Sequence, residues 1–163
     1  MKRKALAITL AAAMAMGTCA VTASAADGDK YTIGICQLVQ HEALDAATQG
    51  FKDEVTKELG EDAVTFDEQN AQGDSNTCST IINSFVSNNA DLILANATPA
   101  LQAAAAGTSD IPILGTSVTE YGVALGLDDF DGTVGGNISG TADLAPLISR
   151  QQCSMNFSRM QKI

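Results

Sequence analysis

The residues of this sequence that could do chemistry are mostly uncharged amides and hydroxyls, and they sit behind short apolar runs. Gln37, Gln40 and His41 follow Tyr31–Cys36, and Gln69, Asn70, Gln72 and Gly73 follow Val64–Phe66. Asn96 and Thr98 follow Asp91–Ala95, and Thr116, Ser117 and Thr119 follow Ile111–Leu114. Such groups donate and accept hydrogen bonds at neutral pH without carrying charge. Gathered in one place they suit a small polar or zwitterionic ligand, whose carboxylate a helix N-terminus can hold. They do not suit covalent chemistry. His41 is the single histidine, so a Ser-His or Cys-His pair would have to use it. A histidine opening a helix reads as a cap or a ligand contact. No GxGxxG follows the first run, and neither a phosphate-binding P-loop nor a GxSxG elbow occurs, which leaves dinucleotide, nucleotide and hydrolase sites unsupported. Asp128-Asp129-Phe130-Asp131-Gly132 lacks the spacing and closing Glu of a calcium loop and reads as a solvated acidic turn. No metal and no cofactor is expected.

The elements that must position these residues alternate. Tyr31–Cys36 is a short β-rich run. From about His41, Leu44, Ala47, Phe51, Val55 and Leu59 recur at helical spacing until Gly60. Val64–Phe66 reads as a second strand. Asp74 or Ser75 caps a helix with Cys78, Ile82, Phe85 and Val86 on its apolar face. Asp91–Ala95 is a third strand, and Thr98-Pro99 supplies a cap and first-turn proline for an Ala-rich helix ending at Gly107. Ile111–Leu114 is a fourth strand, with weaker strand signals at Val123–Leu127 and Asn137–Ser139. The order β-α-β-α-β-α-β predicts an α/β fold with a doubly wound parallel sheet. Ligands in such sheets sit beyond the carboxyl ends of the strands, where the polar groups above are placed.

The charge is unevenly spread. The 163 residues carry a formal net charge of −10. Residues 1–25 hold Lys2, Arg3 and Lys4 and no acid. Residues 26–147 hold all 19 acids against Lys30, Lys52 and Lys57, net −16. Residues 148–163 hold Arg150, Arg159 and Lys162 and no acid. An acidic chain argues against nucleic acid as the partner. The basic start, the apolar run Ala5–Gly17 and the small residues Ala23-Ser24-Ala25 have the layout of a secretory signal peptide, with cleavage after Ala25. The run is short of the ~20 residues that span a bilayer. Met16-Gly17-Thr18 is a poor approach to a lipidated Cys19, so a lipid anchor is not expected. The product is exported, to the periplasm or the cell surface. Export permits a Cys36–Cys78 disulfide, which nothing in the sequence requires. Cys36, Cys78 and Cys153 lack paired spacing and read as small buried hydrophobes.

Several strings together resemble the substrate-binding proteins of ABC transporters with the type I periplasmic-binding fold, nearest the group for tryptophan, tyrosine and related small molecules. They are Tyr31–Asp45, Gln69–Asp74, Ala97–Ala100, Ile111–Leu114 with Thr116–Thr119, and Asn137–Gly140. The resemblance implies two α/β lobes that close on an amino-acid-like ligand and dock on a membrane permease. It implies no enzymatic activity. The matching cleft positions are Gln37, Glu42, Asn70, Gln72, Thr98, Ser117 and Thr119. Glu42 stands where the family often has Pro, and Glu120-Tyr121 where Asp-Pro is common. Residues 26–147 then form the first lobe. The second lobe is expected to begin near Asp143, yet 148–163 lose the apolar period and reverse the charge. Back-translated with permissible codons, restoring one nucleotide after the Leu147 codon lets this tail read as an acidic amphipathic helix, the alternative being a genuine short C-terminus. The expectation is therefore a frame-changed tail on a protein cut short after one lobe, without the contacts needed to close on a ligand. Two other readings compete: a small exported α/β enzyme, and the ligand-sensing domain of a receptor.

Overall fold

The computed structural model describes residues 30–143. The signal peptide read at 1–25, with Cys19, and the tail 148–163, with Cys153, lie outside the described residues.

The chain alternates as expected: β1 (Tyr31–Gln37), α1 (Glu42–Leu59), a 3-10 turn (Glu61–Ala63), β2 (Val64–Asn70), α2 (Ser75–Ser87), β3 (Leu92–Asn96), α3 (Thr98–Gly107), β4 (Ile113–Val118), α4 (Tyr121–Leu125) and β5 (Ile138–Ala142). The strands form one sheet in the order β2-β1-β3-β4-β5, every neighbouring pair parallel. The chain goes outward from β1 to β2, returns past β1 to β3, and then runs on to β5. That reversal puts the switch point between β1 and β3, where helices leave the sheet toward opposite faces.

Side-chain alternation divides the core in two. Ile33, Ile35 and Leu94 face α1, where Phe51 and Val55 pack on them. Cys36, Ile93, Ala95 and Ile113 face the other way, into a larger cluster with Ile82 and Phe85 of α2 and Leu101 of α3. Gly34 belongs to this second face. A Cβ there would stand 2.6 Å from the Phe85 ring, so glycine is what lets α2 settle on β1.

The boundaries differ from the sequence expectation in instructive ways. β2 continues four residues beyond Phe66, through polar Asp67–Asn70, because it is the sheet's edge strand and half its side chains meet water. β4 starts after Pro112, which has no N–H to give the ladder, and runs on to Val118. Val123–Leu127 is not a strand. Glu120 accepts from Gly122 N at 2.8 Å and Val123 N at 2.6 Å, which starts α4, and Gly126 in the left-handed region (φ 66°) stops it. Among the described residues, no helix is long and apolar enough to cross a membrane.

Candidate ligand-binding site

The carboxyl ends of four strands carry a row of polar residues in register. Asn70 of β2 pairs with Gln37 of β1, Gln37 with Asn96 of β3, and Asn96 with Thr116 of β4. The loops leaving these ends are stitched to one another by backbone bonds. Leu38 N donates to Asn96 O (3.2 Å), Ala71 N to Gln37 O (2.9 Å), Gly73 N to Leu38 O (2.7 Å) and Ala97 N to Thr116 O (3.0 Å).

The middle of the row is buried and saturated. The Gln37 amide donates to Asp45 Oδ1 (2.6 Å) and Val39 O (3.0 Å), and its Oε1 accepts from Thr48 Oγ1 at 2.7 Å. Asn96 Nδ2 donates to Thr48 Oγ1 (2.9 Å) and Leu44 O (2.8 Å). Thr48 is the one fully buried residue of α1 and the hub of this network. Its hydroxyl ties the first turns of α1 to both strands at the switch point. Asn96 Oδ1 is the exception: among the described residues it is the buried side-chain polar atom that finds no partner. Sequence reasoning placed Asn96 at a strand end but missed Thr48 and Asp45. The available signal was a hydroxyl inside the apolar stripe of α1.

All seven residues selected from the sequence lie at this edge, but in different conditions. The Gln37 side chain is consumed by the network and is 4% exposed. Asn70 turns its Oδ1 back to accept from Gln72 N at 2.8 Å, an Asx turn that holds the β2–α2 loop. Glu42 is exposed in the first turn of α1, next to His41, whose Nδ1 accepts from Ala43 N at 3.2 Å. The histidine is thus a helix cap, one of its two expected roles. Gln72 is exposed. Thr98 is half-buried and is the first residue of α3 rather than its cap: Ala97 holds the cap position and offers no side-chain bond, so the opening amides of α3 have no capping side chain. Ser117 lies inside β4, at the register shift between Gly115 and Val118, rather than in a loop beyond it. Thr119 is exposed just past β4.

Backbone strain gathers on the same edge. Four described non-glycine residues have positive φ: Gln72 (54°), Asn89 (53°), Ala97 (95°) and Ser117 (55°). Asn89 sits just past the end of α2, where left-handed asparagine is commonplace. The other three follow or interrupt β2, β3 and β4 at the carboxyl edge. Ala97, with ψ 158°, is in a region that only glycine enters easily.

Beyond β4 the surface opens into a cavity of about 530 Å³, lined by Thr119, Glu120, Tyr121, Phe130, Ser139 and Ala142 among others. Tyr121 forms its floor. Its hydroxyl donates to Thr141 O at 3.4 Å, and burial raises its pKa above the usual phenol value. A Cβ at Gly115 or Gly140 would collide with that hydroxyl, so two glycines on adjacent strands admit the ring. The wall combines two aromatic rings, Tyr121 and Phe130, and the apolar Val134, Ile138 and Ala142 with the hydroxyls of Thr119, Thr133 and Ser139 and the Glu120 carboxylate, a mixed lining suited to a small molecule with an apolar part and a few polar groups.

The family described as ABC transporter substrate binding protein matches residues 32–155. This chain belongs to that family. Family and relatives are substrate-binding proteins, not enzymes, which removes the exported-enzyme reading, and the family works outside the cytoplasm. The tyrosine-binding protein of Clostridioides difficile (strain R20291) is 46% identical over 115 residues, covering 68% of this chain and 32% of that protein. Among solved structures, an open, ligand-free substrate-binding protein with adhesive properties from Clostridium difficile aligns with a TM-score of 0.67 at 42% identity, covering 72% of this chain and 40% of that one. An ABC domain in complex with L-Trp from Streptococcus pneumonia aligns at 0.65 and 32% identity, covering 71% and 39%. The fold is thus that of a type I periplasmic binding protein, and the chain spans about one lobe of these relatives.

Proposed function

We propose that this chain supplies the amino-terminal wall of the ligand cleft in an extracytoplasmic receptor that delivers an amino acid to an ABC importer. One observation supports this reading above the others: strained backbone at Gln72, Ala97 and Ser117 coincides with the strand-end row that the sequence picks out. Strain of that kind persists where the surroundings hold it for a purpose. In this reading Gln72, Thr98, Ser117 and Thr119 meet the ligand, and Gln37 and Asn70 hold the loops that present them. The uncapped amides of α3 receive the carboxylate, and Glu42 receives the ammonium group. The tyrosine-binding and L-Trp-bound relatives point to an aromatic amino acid. Residues 1–25 serve as the export signal and 26–147 as the lobe. A second lobe closes over the ligand, and the closed form docks on the permease.

Calorimetric titration with L-tyrosine, L-tryptophan, L-alanine and L-lysine tests this. The 163-residue chain is compared with the same chain joined to the carboxyl-terminal part of the Clostridioides difficile relative. The joined protein is expected to bind an aromatic amino acid at micromolar concentration. The single wall is expected to bind at least ~100-fold more weakly, because half the contacts are missing. A joined, folded protein that binds none of the four overturns the reading.

A further inference from the structure

Cys36 and Cys78 belong to elements that pack together, β1 and the first turns of α2. Both side chains are fully buried in the larger core cluster, both are free thiols, and they lie close enough for each to influence the ionisation of the other. Nothing in the proposed ligand site uses them. Two neighbouring thiols on packed elements, in a family that works outside the cytoplasm, stand where oxidation is favoured. We propose that Cys36 and Cys78 are a disulfide-forming pair that fastens the start of α2, and with it the loop carrying Gln72, to the end of β1.

The chemistry needs an oxidant of the disulfide class, such as oxidised glutathione. One cysteine thiolate attacks a sulfur of the small disulfide and expels one thiol. The second cysteine thiolate then attacks the protein sulfur of the mixed disulfide and expels the other. Two protein thiols lose two electrons and two protons, one small disulfide becomes two small thiols, and one S–S bond is left in the protein. The timing follows from the environment. Burial raises the pKa of both thiols, that of Cys36 far above the ordinary range. A neutral, enclosed thiol is a poor nucleophile. The bond therefore forms while the chain folds, before α2 seats on β1, and resists exchange afterwards. The closed loop runs from residue 36 to residue 78, long enough for the cross-link to restrict the unfolded chain substantially.

The test is refolding of the full 163-residue chain in a glutathione redox buffer. Peptide mapping without reduction follows, together with thermal melting of oxidised and reduced samples. The expected result is a Cys36–Cys78 linked peptide as the main cross-linked species. The melting temperature should rise by roughly 10 °C over the reduced form, and Cys78→Ala should show neither effect. Native reduced protein given the same buffer without unfolding should oxidise at least ~10-fold more slowly. Recovery of both thiols in alkylatable form after oxidative refolding overturns the proposal. So does pairing of either one with Cys19 or Cys153, or a linked form that melts no higher than the reduced one.

Discussion

Around β1 and β3, the polar side chains at the strand ends are buried and bonded to one another. Around β4 and β5, similar side chains line an open cavity. Gln37, Thr48 and Asn96 exchange hydrogen bonds of 2.7–2.9 Å out of contact with solvent. Thr119 and Ser139 border a space of about 530 Å³. Hydroxyls occupy both halves, Thr48 in one and Thr119 and Ser139 in the other, so the hydroxyl alone does not separate them. What separates them is a helix. α1 packs over β1 and its first turns cover the switch point, while α4 is five residues long and leaves the far half of the edge uncovered. The same hydroxyl chemistry becomes fastening under a helix and an accessible wall without one.

The largest expected effect breaks the covered half. Asn96→Ala removes bonds to Thr48 and Leu44 and opens a small void, and it should lower stability by about 3 kcal/mol in urea denaturation. A loss below ~1 kcal/mol would mean that the network fastens nothing and that the two halves are alike. Ala97→Gly acts at the border between them. It should raise stability by about 1 kcal/mol, because glycine enters φ 95° without strain. No gain would show that Ala97 is not held against its preference. The smallest effect belongs to the open half. Thr119→Val should leave stability within about 0.5 kcal/mol and weaken ligand binding in the joined two-lobed protein. A large loss of stability there would erase the contrast.

Much of this architecture was legible in the sequence. Apolar runs bounded by turn residues located four strands, and strand-end logic led to the carboxyl edge before any coordinates. The failures have local causes. Polar Asp67–Asn70 hides an edge strand from any reading based on apolar runs. The start of α4 depends on both oxygens of Glu120, which replaced the strand expected from Val123–Leu127. The fate of Gln37 could not be read along the chain, because its neighbours are set by folding: Thr48 lies 11 positions away, and Asn96 reaches Thr48 across 48. Thr98 was expected as a cap, but the turn at Ala97 displaces that role by one residue, through a conformation that alanine rarely adopts.

The backbone bonds joining the loops across the strand ends bear on the thermodynamics of recognition. Leu38, Ala71, Gly73 and Ala97 each give an amide hydrogen to a neighbouring strand end or loop. The conformational entropy of those loops is therefore lost when the sheet forms, not when a molecule arrives. A ligand meeting this wall has little disorder to remove, and its affinity there reflects the contacts it makes. In the proposed two-lobed receptor, the remaining entropic cost falls on bringing the second wall into place.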